Sequence, residues 1–197
     1  RTLPPLVTSF EVERLRAQFQ ASLLARKNNP NYIAGRTWAE AMYGDHPYAR
    51  PSDGTEESLN AITAEEMRAF IRAHLSKDRL EIGIVGDIEP DVLGRLLDKA
   101  FGALPETGAP FEVPDMQPMA NGQLIVKALD IPQSVALFGH AGIDRRDPDW
   151  YAAYLLDHIL GGGGFTSRLY SEVREKRGLV YSVGTNLSPR DHSNAIV

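Results

Sequence analysis

Apolar side chains recur with a helical period along much of the chain. Val12, Leu15, Phe19 and Leu23 share one face after Thr8-Ser9-Phe10-Glu11, a capping-box pattern, and Asn28-Asn29-Pro30 ends the run. A second helix is predicted through Trp38 and Met42 to Gly44, followed by an extended, Pro-bounded loop over 45–51. Thr63-Ala64-Glu65-Glu66 is another capping box. It leads into Met67, Phe70, Ile71, His74 and Leu75, which keep the i, i+3, i+4, i+7, i+8 spacing of a one-faced helix. Pro90 suits a first helical position, and Leu93, Leu96, Leu97, Ala100 and Phe101 form the next face, closed by Gly102. After Asp147-Pro148-Asp149, the residues Tyr151, Tyr154, Leu155, His158 and Ile159 form another.

Strand patterns lie between these helices. Leu80, Ile82 and Ile84 alternate, and 124–128, 134–140 and 179–185 read as further strands. Helices and strands mix without a regular βαβ alternation. The expected class is therefore α+β, with two layers: helices on one face of a largely antiparallel sheet. Residues 103–120 hold Pro105, Pro110, Pro114 and Pro118 and no helical period, so a division is expected near 115, giving units 1–115 and 116–197.

The least ordinary stretch is Gly161-Gly162-Gly163-Gly164-Phe165-Thr166-Ser167-Arg168-Leu169-Tyr170. Four successive glycines suit neither a strand nor a helix interior, where each costs up to about 1 kcal/mol relative to Ala. They predict a loop whose backbone can approach something closely. A helix follows, with Thr166 or Ser167 as N-cap, Lys176 and Arg177 in its last turn and Gly178 at the left-handed exit. A phosphate cradle is one use of such a loop, but the chain has no G-x-x-x-x-G-K-[ST], and Thr166 takes the place of the last glycine of G-x-G-x-x-G. A plain connection is another. By themselves Arg174 reads as an exposed helical ion-pair partner and Tyr181 as a strand core residue.

The run LGGGGFTSRLYSEVREKRGLVYSVGT resembles the second-domain signature of the insulinase and mitochondrial-processing-peptidase family of zinc peptidases. NPNYIAGRTWAEAMYGDHPYARPSDGTEESLNAIT and RLEIGIVGDIEPDVLGRLLDKAFGALP are similar to the middle and the close of that family's first domain. The resemblance implies two peptidase-like domains, each incomplete: the C-terminal half of the first over 1–115 and the start of the second over 116–197. Arg1-Thr2-Leu3-Pro4-Pro5 and Ala195-Ile196-Val197 likewise read as interior segments, so a fragment is expected. The resemblance also implies that Gly161, Gly162, Gly163, Gly164 and Phe165 contact an extended peptide. Arg174 and Tyr181 would then bind the peptide backbone and stabilise an oxyanion, in trans to a zinc-bearing subunit.

That family's zinc is held by an H-x-x-E-H helix and a distant Glu. None of the five His (46, 74, 140, 158, 192) lies in such a motif. The two acidic positions that the family carries on the first helix fall on Leu15 and Ser22, neither a carboxylate. The expectation is a chain with no metal ligands and no catalytic residues of its own, paired with a bacterial-type catalytic peptidase subunit, or with a second copy of itself. The zinc would belong to the partner. Two other readings stay open: a structural module of the same fold, as in the family's respiratory-complex relatives, and an active peptidase whose H-x-x-E-H lies upstream.

Composition narrows the partners further. The chain has 43% hydrophobic and 24% charged residues, and no apolar run approaches a membrane span. The net charge is −5, with the excess of acid confined to residues 1–115. No basic surface is expected, which argues against nucleic acid. There is no Cys, so disulfides and Cys-based zinc sites are excluded. Compartment cannot be read from the residues; the bacterial periplasm is kept open by the resemblance alone.

Overall fold

The computed structural model describes residues 8–119 and 121–197. The elements run α1 (Ser9–Arg26), α2 (Pro30–Tyr43), α3 (Glu56–Ala61), α4 (Ala64–His74), α5 (Pro90–Phe101), β1 (His140–Ala141), α6 (Trp150–Asp157), β2 (Leu187–Arg190) and β3 (Ser193–Ile196). The three strands form one antiparallel sheet in the order β1-β3-β2. The class is α+β, as the pattern predicts. By their contacts the residues group into two compact units.

The first unit holds residues up to Leu24 together with Asp53–Glu112. Its helices start where side chains can satisfy the free N–H groups. Thr63 and Glu66 complete a reciprocal capping box on α4. Thr55 and Ser58 do the same for α3, which the periodicity missed because six residues are too few to show a period. Gln20 donates to Asn60 at 2.8 Å, and Arg16 donates to the carbonyl of Ile62, tying α1 to the turn between α3 and α4. The first part of the proline-rich segment is also bonded in: Ala109 N–H donates to Ala73 C=O at 2.7 Å and Lys77 N–H to Pro105 C=O at 2.9 Å. Neither α4 nor α5 buries a residue, and Phe70, Ile71 and Leu96 on their apolar faces stay exposed.

The second unit holds Ala25–Ser52 and Val113–Val197. Asn29 caps α2, and Pro30 fills its first turn. The core is Met42, Tyr43 and Ala49, with Trp38, Ala39, Tyr48 and Met116 packed against it. Tyr43 is 1% exposed, and its ring meets Trp38 and Tyr48 edge-on at 5.8 Å each. The Nδ1 atom of His46 accepts from the Tyr48 N–H, so its Nε2 donates to the Pro114 carbonyl at 2.8 Å, which anchors the 45–51 loop. Met119 N–H donates to Met42 C=O at 2.8 Å and Met116 N–H to His192 C=O at 2.9 Å.

Three expectations are corrected. Of the predicted strands, 80–84, 124–128 and 179–185 carry no ladder, and only His140 of 134–140 is paired. A strand needs a partner as well as an alternating pattern, and among the described residues these segments have none. His158 and Ile159, on the apolar face predicted after Asp149, are exposed, as are Tyr151, Tyr154 and Leu155. Leu15 and Phe19 are exposed, so only Val12 of that predicted face is buried on α1.

Candidate functional site

The glycines, expected as a loop, are mostly wound: Gly161 and Gly162 finish one wide helical turn, Gly164 opens a 3-10 turn over Gly164–Thr166, and only Gly163 lies between them, because each turn here is short and held by its own backbone bonds. After α6 the chain continues as a π-helical turn over His158–Gly162, closed by Gly163 N–H to His158 C=O at 2.9 Å. Beyond the loop, Tyr170–Glu175 is again π-helical, closed by Lys176 N–H to Ser171 C=O at 3.0 Å. Such insertions are rare and gather at functional sites. A regular α-helix was expected here; the wider winding is not written in any spacing that periodicity reads.

Gly161, at the end of the wide turn, and Gly164 each call for glycine, for different reasons. A Cβ on Gly161 would lie 2.5 Å from the Thr185 backbone nitrogen, so the loop lies directly on the returning 179–185 segment. Gly164 has φ +61°, a left-handed turn that aims the chain into the next helix. Ser167 is buried, and its hydroxyl accepts from the Tyr170 N–H as an N-cap. The helix ends as predicted at Gly178, left-handed with φ +62°, where Gly178 N–H donates to Arg174 C=O and Leu179 N–H to Val173 C=O.

That reversal brings Arg174 and Tyr181 together. The guanidinium carbon of Arg174 lies 5.6 Å from the centre of the Tyr181 ring, and Tyr181 is 83% exposed. Tyr181 is thus no core residue, and Arg174 is not spent on a carboxylate: Glu172 is taken by Lys176 and Arg177. On its other side Arg174 lies 4.8 Å from the centre of Tyr170 and donates to its hydroxyl. Phe165, 79% exposed, meets Tyr170 edge-on at 5.0 Å. The predicted residues Phe165, Arg174 and Tyr181 are therefore joined through Tyr170, which the sequence reading did not single out. Its place four residues before Arg174, directly after Ser-Arg-Leu, was the available signal. A guanidinium with donors left over beside an exposed phenol can meet a carbonyl oxygen, or an oxygen gaining negative charge.

The residues at the family's zinc positions do not fit a zinc site. Leu15 and Ser22 offer no carboxylate, and the acids on α1, Glu11 and Glu13, are held by Arg14 and Arg16. The histidines are dispersed: His46 anchors its loop, His74 stacks on Phe70 at 4.5 Å, His140 bonds the Ala141 carbonyl and His192 pairs with Asp115 at 2.9 Å. Among the described residues no group of three or more His, Asp or Glu could hold a metal ion, and no helix is long and apolar enough to cross a membrane. A small cavity of about 250 Å³ at the β2–β3 turn is lined by Asp115, Asp144, Arg146, Asp191 and His192. Arg146 already supplies the counter-charge there; its bonds hold the Asp144 carboxyl well below the usual carboxylate range.

A family profile described as "Peptidase M16 inactive domain" matches residues 61–196. An uncharacterized zinc protease of Streptomyces coelicolor is 31% identical over 188 residues, covering 90% of this chain and 40% of the relative. A non-peptidase homolog of Helicobacter pylori is 28% identical over 181 residues, covering 91% of this chain and 41% of its own length. The crystal structure of a peptidase M16 inactive domain from Pseudomonas fluorescens superposes with a TM-score of 0.79 at 32% identity, covering 96% of this chain and 46% of that one. The chain thus spans less than half the length of these relatives.

Proposed function

Because the chain belongs to the peptidase M16 inactive-domain family, we propose that it is the non-catalytic contributor to a peptidase. It binds an extended peptide at the 161–165 loop and presents Arg174 and Tyr181 to the peptide backbone. The observation that carries this reading is the pairing of Arg174 with an exposed Tyr181, joined through Tyr170 to the exposed Phe165 that follows the glycines. Among the described residues no ion pair engages Arg174, and the nearby Glu172 is held by Lys176 and Arg177. Loop and backbone groups meet an extended peptide through its main chain, so side-chain selection is weak. The two donors hold a carbonyl oxygen in the ground state and hold it more tightly as it gains negative charge, while the attack is carried out by a catalytic partner or a second copy. Zinc is assigned to that partner, because the donor set here does not fit it.

The test is binding of fluorescein-labelled, S-carboxymethylated insulin B chain, an extended peptide, followed by anisotropy. Arg174→Ala and Tyr181→Phe should fold normally and weaken binding, the first by about tenfold, as expected for a lost charge-assisted hydrogen bond. Unchanged binding in both leaves only a structural module of the same fold. Zinc analysis after dialysis should find far less than one ion per chain, and about one per chain would contradict the assignment of zinc to the partner.

A further inference from the structure

Building on that peptide-site reading, we propose that Tyr170 is a positioning residue, which holds the Arg174 guanidinium over Tyr181 and ties its placement to the loop through Phe165. Tyr170 is 7% exposed, so its ring is fixed by packing while Phe165 and Tyr181 on either side of the cluster face solvent. One face of its ring carries Arg174 at 4.8 Å, its hydroxyl accepts from the same guanidinium, and Phe165 rests edge-on against it at 5.0 Å. Arg is among the side chains with most rotamer freedom to lose, and an Arg held before the ligand arrives loses less of it on binding. The hydroxyl takes only part of a five-donor fork, so N–H groups remain for a carbonyl oxygen. Phe165 lies directly after the four glycines. A peptide that moves the loop therefore moves the ring resting on Tyr170. The geometry makes Tyr170 the shared support of the loop contact and the donor pair, two parts of the site that are nine residues apart.

Four variants of the full chain test this with the labelled B chain: Tyr170→Phe, Tyr170→Leu, Arg174→Ala and the double change Tyr170→Leu/Arg174→Ala. Tyr170→Phe keeps the ring, folds as the parent does, and should weaken binding about threefold through the lost hydroxyl. Tyr170→Leu removes ring and hydroxyl and should weaken it about tenfold. In the double variant the Tyr170→Leu loss should vanish, because a residue that acts through Arg174 has nothing left to position. If the Tyr170→Leu loss persists undiminished without Arg174, Tyr170 only supports the fold and the positioning role is overturned. If Arg174→Ala weakens binding while neither Tyr170 variant does, the inference falls and the peptide-site reading stands. If Arg174→Ala itself has no effect, both fall together.

Discussion

The second unit contains two arginines that each lie between two tyrosine rings. Arg190 sits 4.8 Å from the centre of Tyr48 and 5.6 Å from that of Tyr43; Arg174 sits 4.8 Å from Tyr170 and 5.6 Å from Tyr181. The local chemistry is the same, and the settings differ. Around Arg190 the rings belong to the core cluster, where Tyr43 is 1% exposed, so the cation clamps β2 onto the end of α2. Around Arg174 one ring is buried and the other, Tyr181, is 83% exposed. Both guanidinium groups keep donors to spare; what differs is the second ring, the half-buried Tyr48 that closes the sandwich around Arg190 and the open phenol of Tyr181 beside Arg174. Cation–π contact alone therefore does not mark a site; exposure of the second ring does.

The largest effect expected from breaking this comparison is on the closed side. Tyr43→Ala empties the centre of the cluster formed by Met42, Tyr43 and Ala49 with Trp38, Tyr48 and Met116 packed against it. It should cost about 3–5 kcal/mol, read as a lower urea midpoint. On the open side, Arg174→Ala also loses two ring contacts and its bond to the Tyr170 hydroxyl, so it should cost about 1 kcal/mol while weakening B-chain binding about tenfold. Arg190→Ala should likewise cost about 1 kcal/mol, from its two lost ring contacts, but leave B-chain binding unchanged. If Arg190→Ala weakens binding as much as Arg174→Ala, the distinction between closed and open sandwiches is wrong.

Most of the helices were legible because each announces itself locally. The Thr63–Glu66 box, Pro30 and Pro90 in first turns and the left-handed Gly44 and Gly178 all act where their residues stand. The short α3 was not, for want of a period. Strands failed for a different reason. Ile82 and Ile84, or Leu124 and Val126, have the right alternation, yet pairing is set by a distant partner that alternation cannot name. Within the site, the proximity of Arg174 and Tyr181 followed from the helix, the left-handed Gly178 and the spacing of seven. Tyr170 did not, because its part rests on ring faces meeting across wide-wound turns, and wide winding leaves no mark in the spacing of apolar residues. The role proposed for the pair in handling peptide comes only from family resemblance, not from spacing.

The smallest expected effect concerns the phenol of Tyr43. Burial pushes its pKa above the usual value of 10.0, with Arg190 pulling the other way and Tyr48 adding to the rise. Its hydroxyl finds no hydrogen-bond partner among the described residues, so the charged form would gain no donor in compensation. The folded pKa therefore lies above the unfolded one. Stability from this group is fully present below pH 10 and is lost as pH rises through the folded pKa, since the unfolded chain releases the proton first. Tyr43→Phe removes the titration and the unpartnered hydroxyl together while keeping both edge-on ring contacts. It should be neutral or slightly stabilising at pH 7, and should flatten the fall in urea midpoint between pH 9 and 11. An alkaline slope left unchanged by Tyr43→Phe would mean that the Tyr43 phenol is open to water in the folded chain, and the closed sandwich would not exist.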